Sequence, residues 1–195
     1  MRVDPSTFDG MYDDANDPWG FATSAYELDR YQTTITSLSR SKYLRCFEPA
    51  CSIGVLTERL ATHADHVVAC DGSANAIEQA KRRLAATAGV ELVAAAIPEW
   101  WPTGQFDLIV LSELGYYWDT AGWGNIIERC RASTSDGAEV IAVHWLGSSP
   151  DHVIDGRSVH AELLAHLGPS DLHVEHPDGT SGGFVLDRWS AVRNA

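Results

Sequence analysis

Two acidic residues, Glu48 and Asp71, stand where alternating strands and helices would bring them to one edge of a sheet. Glu48 opens the run Glu48-Pro49-Ala50-Cys51-Ser52-Ile53-Gly54-Val55. Its small residues, Ala50, Ser52 and Gly54, let a backbone come close to a ligand. A helix starting near Ile53 would aim its free N–H groups at the same place. Asp71 ends the next apolar run, His66 to Asp71, where a carboxylate can accept both hydroxyls of a ribose. The dinucleotide fingerprint G-x-G-x-x-G is absent, because only Gly54 is glycine and Ala50 and Ser52 hold the other places. A pyrophosphate needs that close approach, and Glu48 just before the turn would repel it. The pattern suits a nucleoside that carries positive charge. The simpler alternative is that Glu48 caps a loop and Asp71 caps the following helix.

Proton-handling groups sit further along. Of the eight histidines, His144 is the best candidate base, at the end of a strand and beside Trp145. Histidine's unperturbed pKa lies nearest neutrality. Glu113 closes another strand and can orient a basic group or accept its proton. His152, His160, His166, His173 and His176 read as surface residues. Seven tryptophans and six tyrosines are many for this length. Trp100-Trp101 and Tyr116-Tyr117-Trp118 follow strands, so both clusters belong on the site's edge, where aromatic faces stack on sugars or enclose cations. Packing in the core would explain them too.

The elements that must position these groups follow from periodicity. Residues 1 to about 22 read as a loop or arm with Phe8, Tyr12, Trp19 and Phe21. Ser24 and Glu27 predict a capping box on a helix reaching about Leu38. Strands are expected at Arg45–Ala50, His66–Asp71, Val90–Ala96, Phe106–Glu113 and Glu139–Trp145. The intervening helices are Ile53–His63, Ser73–Ala86, Thr120–Ala132 and, after the fifth strand, Ser158–His166. Phe106 to Glu113 is nearly all apolar, as in a parallel strand buried on both faces. The last two runs, Leu172–His176 and Gly183–Trp189, are joined by Pro177 to Gly182, too short for a crossover helix, so they form an antiparallel hairpin. The expected fold is therefore α/β: a doubly wound, mostly parallel, seven-stranded sheet that ends in an antiparallel hairpin. Residues 1–42 are an arm and lid helix, and residues 43–195 are the sheet domain.

Composition narrows the partners. The chain has 195 residues, one domain's worth. Lys and Arg total 14 against 27 acids, a formal charge of −13. Such a chain lacks the basic surface that binds nucleic acid, and it would be repelled by an anionic membrane. No apolar run is long enough to span a bilayer, and the first residues lack the apolar core of a secretion signal, so the cytoplasm is the expected location. Cys46, Cys51, Cys70 and Cys130 show neither C-x-x-C nor zinc-finger spacing and are expected to be reduced, structural thiols. No metal site is expected.

On these motifs the chain resembles a known family. Glu48 to Leu60, Asp71, Phe106 to Glu113 with Tyr116-Tyr117, and His144-Trp145 are similar to the seven-stranded S-adenosylmethionine-dependent methyltransferases. Asp17-Pro18-Trp19 and Tyr26-Glu27-Leu28-Asp29-Arg30-Tyr31 narrow the likeness to the nodulation protein S-like branch, from about residue 17 to the end. The resemblance implies S-adenosylmethionine as cofactor. It implies that Glu48, Ala50, Cys51 and Gly54 contact the methionine part, Asp71 the ribose, and Ala96 and Ile97 the adenine, with Leu111 also against the donor. Trp19, Tyr26 and Arg30 would form a lid, Arg30 reaching the donor's carboxylate. From their own placement at strand ends, not from the resemblance, His144 and Glu113 are the candidate catalytic residues, a packed histidine and a capping acid being the alternatives, and Tyr116, Tyr117, Trp118 and Trp145 are expected to hold a small-molecule acceptor. The branch N-methylates an amino sugar, so an amino sugar or another small amine is the implied acceptor. Ala50 replaces the branch's first glycine, and the acid usual near Ala95 to Ile97 is missing. O-methylation of a small molecule and a donor-binding module without catalysis remain open at this point, as does the oligomeric state.

Overall fold

The computed structural model describes residues 3–4, 8, 10–12, 17–176 and 182–192. The first helix, α1, is Ala25–Thr36, followed by β1 (Tyr43–Pro49), α2 (Val55–His63), β2 (Ala64–Asp71), α3 (Ala74–Arg83) and β3 (Val90–Ala94). Then come β4 (Phe106–Ser112), a single 3-10 turn at Gly115–Tyr117, α4 (Thr120–Ala132), β5 (Thr134–Trp145), α5 (Gly156–Leu167), β6 (Leu172–His176) and β7 (Phe184–Val192).

All seven strands join one sheet in the order β3-β2-β1-β4-β5-β7-β6. The five strands from β3 to β5 pair in parallel, whereas β7 runs antiparallel to both β5 and β6. This is the expected doubly wound sheet with a terminal hairpin. The linker of that hairpin, residues 177–181, lies outside the described residues, as does most of the arm ahead of residue 17.

Strand parity divides the core. Successive side chains point to opposite faces, so Val67, Ala69, Leu108, Val110, Ile141 and Val143 face the layer of α1, α2 and α3. Val68, Cys70, Ile109, Leu111, Val140 and Ala142 face α4 and α5, where Trp123, Ile127 and Leu163 meet them. Both faces are covered, as the unbroken apolar strand sequences require. The four cysteines are buried and free.

Two local expectations are corrected. Ser24 is the N-cap of α1, but its side chain makes no capping bond. Glu27 does not reach back to it because Arg30, one turn on, binds the carboxylate. The fifth strand also starts earlier than Glu139. Gly137 takes a φ of +74°, and the strand passes through this irregular stretch from Thr134 instead of stopping at Asp136-Gly137.

Candidate active site

The crossovers after β1 and after β4 lie on opposite faces of the sheet, so a crevice opens beyond the strands' carboxyl ends, the usual ligand position in such folds. A cavity of about 600 Å³ occupies it. The loops after β1, β2, β3, β4 and β5 form its floor and walls, and the arm and the start of α1 roof it.

The floor is the turn after β1. Ala50, Ser52 and Gly54 all take left-handed backbone, with φ of +57°, +50° and +79°. For a residue with a Cβ this costs roughly 1–2 kcal/mol, so the turn does demand glycine-like geometry at the positions where Ala50 and Ser52 stand. Gly54 cannot be exchanged as easily. A Cβ there would lie 3.1 Å from both Ala80 Cβ and Leu84 Cδ1, where α3 packs against the turn. Gly54→Ala is expected to cost about 1–3 kcal/mol from strain and overpacking together, and Ala50→Gly to be close to neutral. Thermal unfolding of the two variants checks this, and equal melting temperatures would refute it.

Asp71 ties the floor to the next strand. Its Oδ2 accepts the Ser52 N–H at 2.8 Å and its Oδ1 the Ser73 N–H at 2.9 Å. A carboxylate oxygen can accept more than one hydrogen bond, and Asp71 lines the cavity together with Ala50, Ser52, Ala96 and Ile97.

Glu48 does not share that place, which corrects the expected convergence of two carboxylates. Its parity in β1 is that of Cys46, so the side chain turns beneath the cradle toward α2, 2% exposed, and it is not part of the cavity wall. Burial pushes its carboxyl up to about 8, with Thr57 opposing and Asp71 adding to the rise. Glu48 is therefore largely uncharged at neutral pH in the folded chain and ionised in the unfolded one. A native pKa above the unfolded value means that stability is full below about 4.5 and is lost as pH rises through about 8. Glu48→Gln, a neutral isostere, is expected to flatten the fall in melting temperature across that window. A slope unchanged by the substitution would remove Glu48 as its source.

The far wall carries the second acid. Glu113 follows β4 with φ +57°, a conformation that is held from outside. Its N–H donates to Val143 O at 3.0 Å, and its Oε1 accepts the Trp145 N–H at 2.7 Å. Arg30 Nη1 lies 3.3 Å from the same oxygen and 3.0 Å from Ser112 Oγ, while Nη2 binds Glu27. Arg30 is thus the buried partner of two carboxylates that line the cavity. It is 1% exposed and does not line the cavity itself, which corrects its expected lid position.

Aromatic side chains complete the walls. Tyr116, Tyr117, Trp118 and Trp145 line the cavity, as do Trp19 and Tyr26. Trp19 stacks on Phe21 with centroids 5.4 Å apart and meets Tyr12 edge-on at the same distance. The Tyr12 hydroxyl reaches Ser52 Oγ, Tyr26 donates to Gly183 O at 3.0 Å, and the Val3 N–H donates to Tyr117 O at 2.9 Å. The roof is therefore pinned to the floor and to both flanks.

Of the residues expected to hold the donor, Trp19, Tyr26, Ala50, Asp71, Ala96 and Ile97 line the cavity, whereas Arg30, Glu48, Cys51, Gly54 and Leu111 lie behind its wall. His144, the expected base, is placed away from the cavity. It is fully buried, its Nε2 accepts the Gly115 N–H at 3.1 Å, and it does not reach the cavity. The signal was its parity: His144 alternates with Val140 and Ala142 and so points into the α4–α5 layer. His160, expected at the surface, is buried beside it.

His152 does line the cavity. Its ring stacks on Tyr116 at 3.9 Å and 11°, with Tyr117 and Trp145 edge-on. Burial lowers its pKa below the ordinary 6.5, against the pull of Glu113 and Asp151, so the ring is largely neutral near pH 7. Nothing in its sequence neighbourhood marked it, because residues 146–155 have no periodicity and come to the site only through the folded-back loop. Glu27 was also unmarked, having been read as a cap.

Four carboxylates, those of Glu27, Asp71, Glu113 and Asp151, line the cavity, and among the described residues no lysine or arginine does. Such a site disfavours phosphate and favours a ligand with cationic groups and a flat apolar part.

Comparisons with known proteins bear on the family and the fold. A family model described as Nodulation protein S (NodS) matches residues 11–134. Nodulation protein S of Rhizobium tropici is 31% identical over 104 residues, 53% of this chain and 44% of that protein. The chain spans about half the length of the curated relatives it matches. A protein from Pseudomonas syringae that carries a provisional methyltransferase description is 36% identical, with a TM-score of 0.74, over 86% of this chain and 99% of its own. The N-methyltransferase NodS from Bradyrhizobium japonicum WM9, solved with S-adenosyl-L-homocysteine, has the same fold at 21% identity, with a TM-score of 0.86 over 97% of this chain and 99% of its own.

Proposed function

Because this chain belongs to the nodulation protein S family, we propose that it is an S-adenosylmethionine-dependent methyltransferase acting on the nitrogen of a small amine, an amino sugar being the first class to try. The observation that carries the reading is the cavity's lining of four carboxylates, many aromatic rings and no basic side chain among the described residues. S-adenosylmethionine has a sulfonium, an ammonium, a ribose and a flat base, and the lining suits each of these. Asp71 would hold the ribose, with both oxygens already oriented by Ser52 and Ser73. Ala96 and Ile97 would meet the base through apolar contact and backbone groups. When bound, the cofactor supplies an electrophilic methyl group for in-line displacement.

The chain's own residues do the rest. Tyr117, Trp118 and Trp145 exclude water and present aromatic faces to an acceptor. Glu113, fixed by Arg30 and by the Trp145 N–H, would hold the ammonium form of the amine. His152, largely neutral near pH 7, is the group placed to take its proton before transfer. The resulting imidazolium would lie on the Tyr116 ring, a cation–π contact that stabilises the charge.

Incubation with methyl-labelled donor and a panel of amino sugars and small amines tests the reading. Label is expected on nitrogen of at least one acceptor. If S-adenosylhomocysteine produced no heat in calorimetric titration and no acceptor were labelled, the proposal would fail. Binding without transfer to any amine or alcohol would instead point to a donor-binding module, and label on oxygen to an O-methyltransferase.

A further inference from the structure

A chain of buried polar groups runs behind the catalytic wall. Gly115 N–H donates to His144 Nε2 at 3.1 Å, His144 Nδ1 lies 3.1 Å from His160 Nε2, and His160 Nδ1 lies 2.6 Å from Asp187 Oδ2. The other oxygen of Asp187 receives Ser170 Oγ at 2.7 Å and His173 Nδ1 at 2.9 Å. His144, His160 and Asp187 are buried, and His173 reaches the surface of β6.

The direction of every bond follows from the two ends. A backbone N–H can only donate, so His144 Nε2 carries no proton. His144 is neutral, because burial first and His160 next hold its pKa well below the ordinary value. Its one proton is therefore on Nδ1, which donates to His160 Nε2. His160 must then carry its own proton on Nδ1 and donate it to the Asp187 carboxylate. Burial raises the pKa of Asp187, but its bonds to His160, Ser170 and His173 outweigh this and keep it ionised.

We propose that His144 is a positioning residue, held as the Nδ1–H tautomer by His160 and Asp187 so that its Nε2 fixes the Gly115 N–H and with it the turn that presents Glu113 and Tyr116 to the cavity. The same turn is held at its start by Glu113, whose N–H donates to Val143 O and whose Oε1 accepts the Trp145 N–H. Glu113 is in left-handed backbone, and Gly115 leaves no room for a side chain, since a Cβ would lie 2.4 Å from Val159 Cγ1. Tyr116 O in turn accepts the Val153 N–H at 2.8 Å, which seats the neighbouring His152 on the Tyr116 ring. A misplacement of this turn by about 1 Å would move both proton-handling groups, enough for a loss on the order of 10²-fold in transfer.

The kinetic part of the test rests on the methyltransferase reading above; the spectroscopic part does not. In long-range proton–nitrogen NMR spectra of the intact, nitrogen-15-labelled chain, His144 and His160 are both expected as Nδ1–H tautomers, with the Gly115 amide shifted downfield. An Nε2-protonated His144 would overturn the proposal, whether or not the protein transfers methyl groups. His144→Phe keeps the ring packing and removes the acceptor. It is expected to lower kcat about 10²-fold while S-adenosylhomocysteine affinity stays within about threefold. His144→Gln, whose Oε1 can accept the same N–H, is expected to recover most of the rate. A glutamine variant no better than the phenylalanine variant, or a phenylalanine variant with unchanged kcat and an unchanged Gly115 amide, would also overturn it. Should either variant fail to fold, the wild-type tautomers decide.

Discussion

Asp71→Ala is expected to weaken S-adenosylhomocysteine binding by 10²-fold or more. Among the described residues, Asp71 is the one cavity carboxylate whose two oxygens are both preoriented by backbone, through Ser52 and Ser73, so a ribose meets acceptors that need no reorganisation. Hydrogen bonds to a charged group are worth roughly 1.5–3 kcal/mol each, and two of them correspond to about 10²–10⁴ in affinity. The variant also frees the two N–H groups that join the cradle to the end of β2, which loosens the left-handed turn at Ala50 and Ser52. Asp71→Asn separates these effects. It keeps one acceptor and should retain the fold but lose much of the affinity. Calorimetric titration of both variants with S-adenosylhomocysteine is the measurement. Wild-type affinity in Asp71→Ala would mean that the cofactor site lies elsewhere, since among the described residues no second acid is placed on the cradle.

Glu113→Gln is expected to lower kcat/KM for the amine acceptor by about 10²–10³-fold, with S-adenosylhomocysteine affinity within about threefold of wild type. The substitution preserves shape and the bond from the Trp145 N–H. It removes the charge that would face an ammonium and leaves Arg30 with Glu27 as its remaining carboxylate partner. Removing one member of a buried, hydrogen-bonded charge pair costs on the order of 2–5 kcal/mol, which is the size of the predicted loss. A split between the two constants identifies the role. A rise in KM alone would make Glu113 a binding group, whereas a fall in kcat would place it in the transfer step. If neither moved, the acceptor would have to approach from another wall, and Asp151 and Glu27 would be next to replace.

The acidic cavity also bears on the charge of the whole chain. A formal charge of −13 excludes little by itself, because many acidic proteins bind nothing cationic. At the cavity the same excess becomes specific: Glu27, Asp71, Glu113 and Asp151 converge there, and Arg30 sits behind two of them instead of facing the ligand.

Strand parity and the length of the last connection made the architecture legible. Apolar runs such as Phe106 to Ser112 can be satisfied only by layers on both faces, and the short link after His176 forces an antiparallel return; both properties are local. The left-handed turn was legible in part, since Ala50 and Ser52 hold positions whose φ angles would suit glycine. The depth and direction of individual side chains were not, because they depend on which layer closes over each strand end. His144 and Glu48 both end up behind the site for this reason: parity turns them into the packed layers, and burial then leaves each largely uncharged near neutral pH. His152 and Glu27 reach the cavity through a folded-back loop and an ion pair with Arg30, contacts between residues far apart in the chain or between side chains that had another local use. Local pattern determined the layers and the edge at which a ligand must bind, while long-range packing decided which acids and which histidine face it.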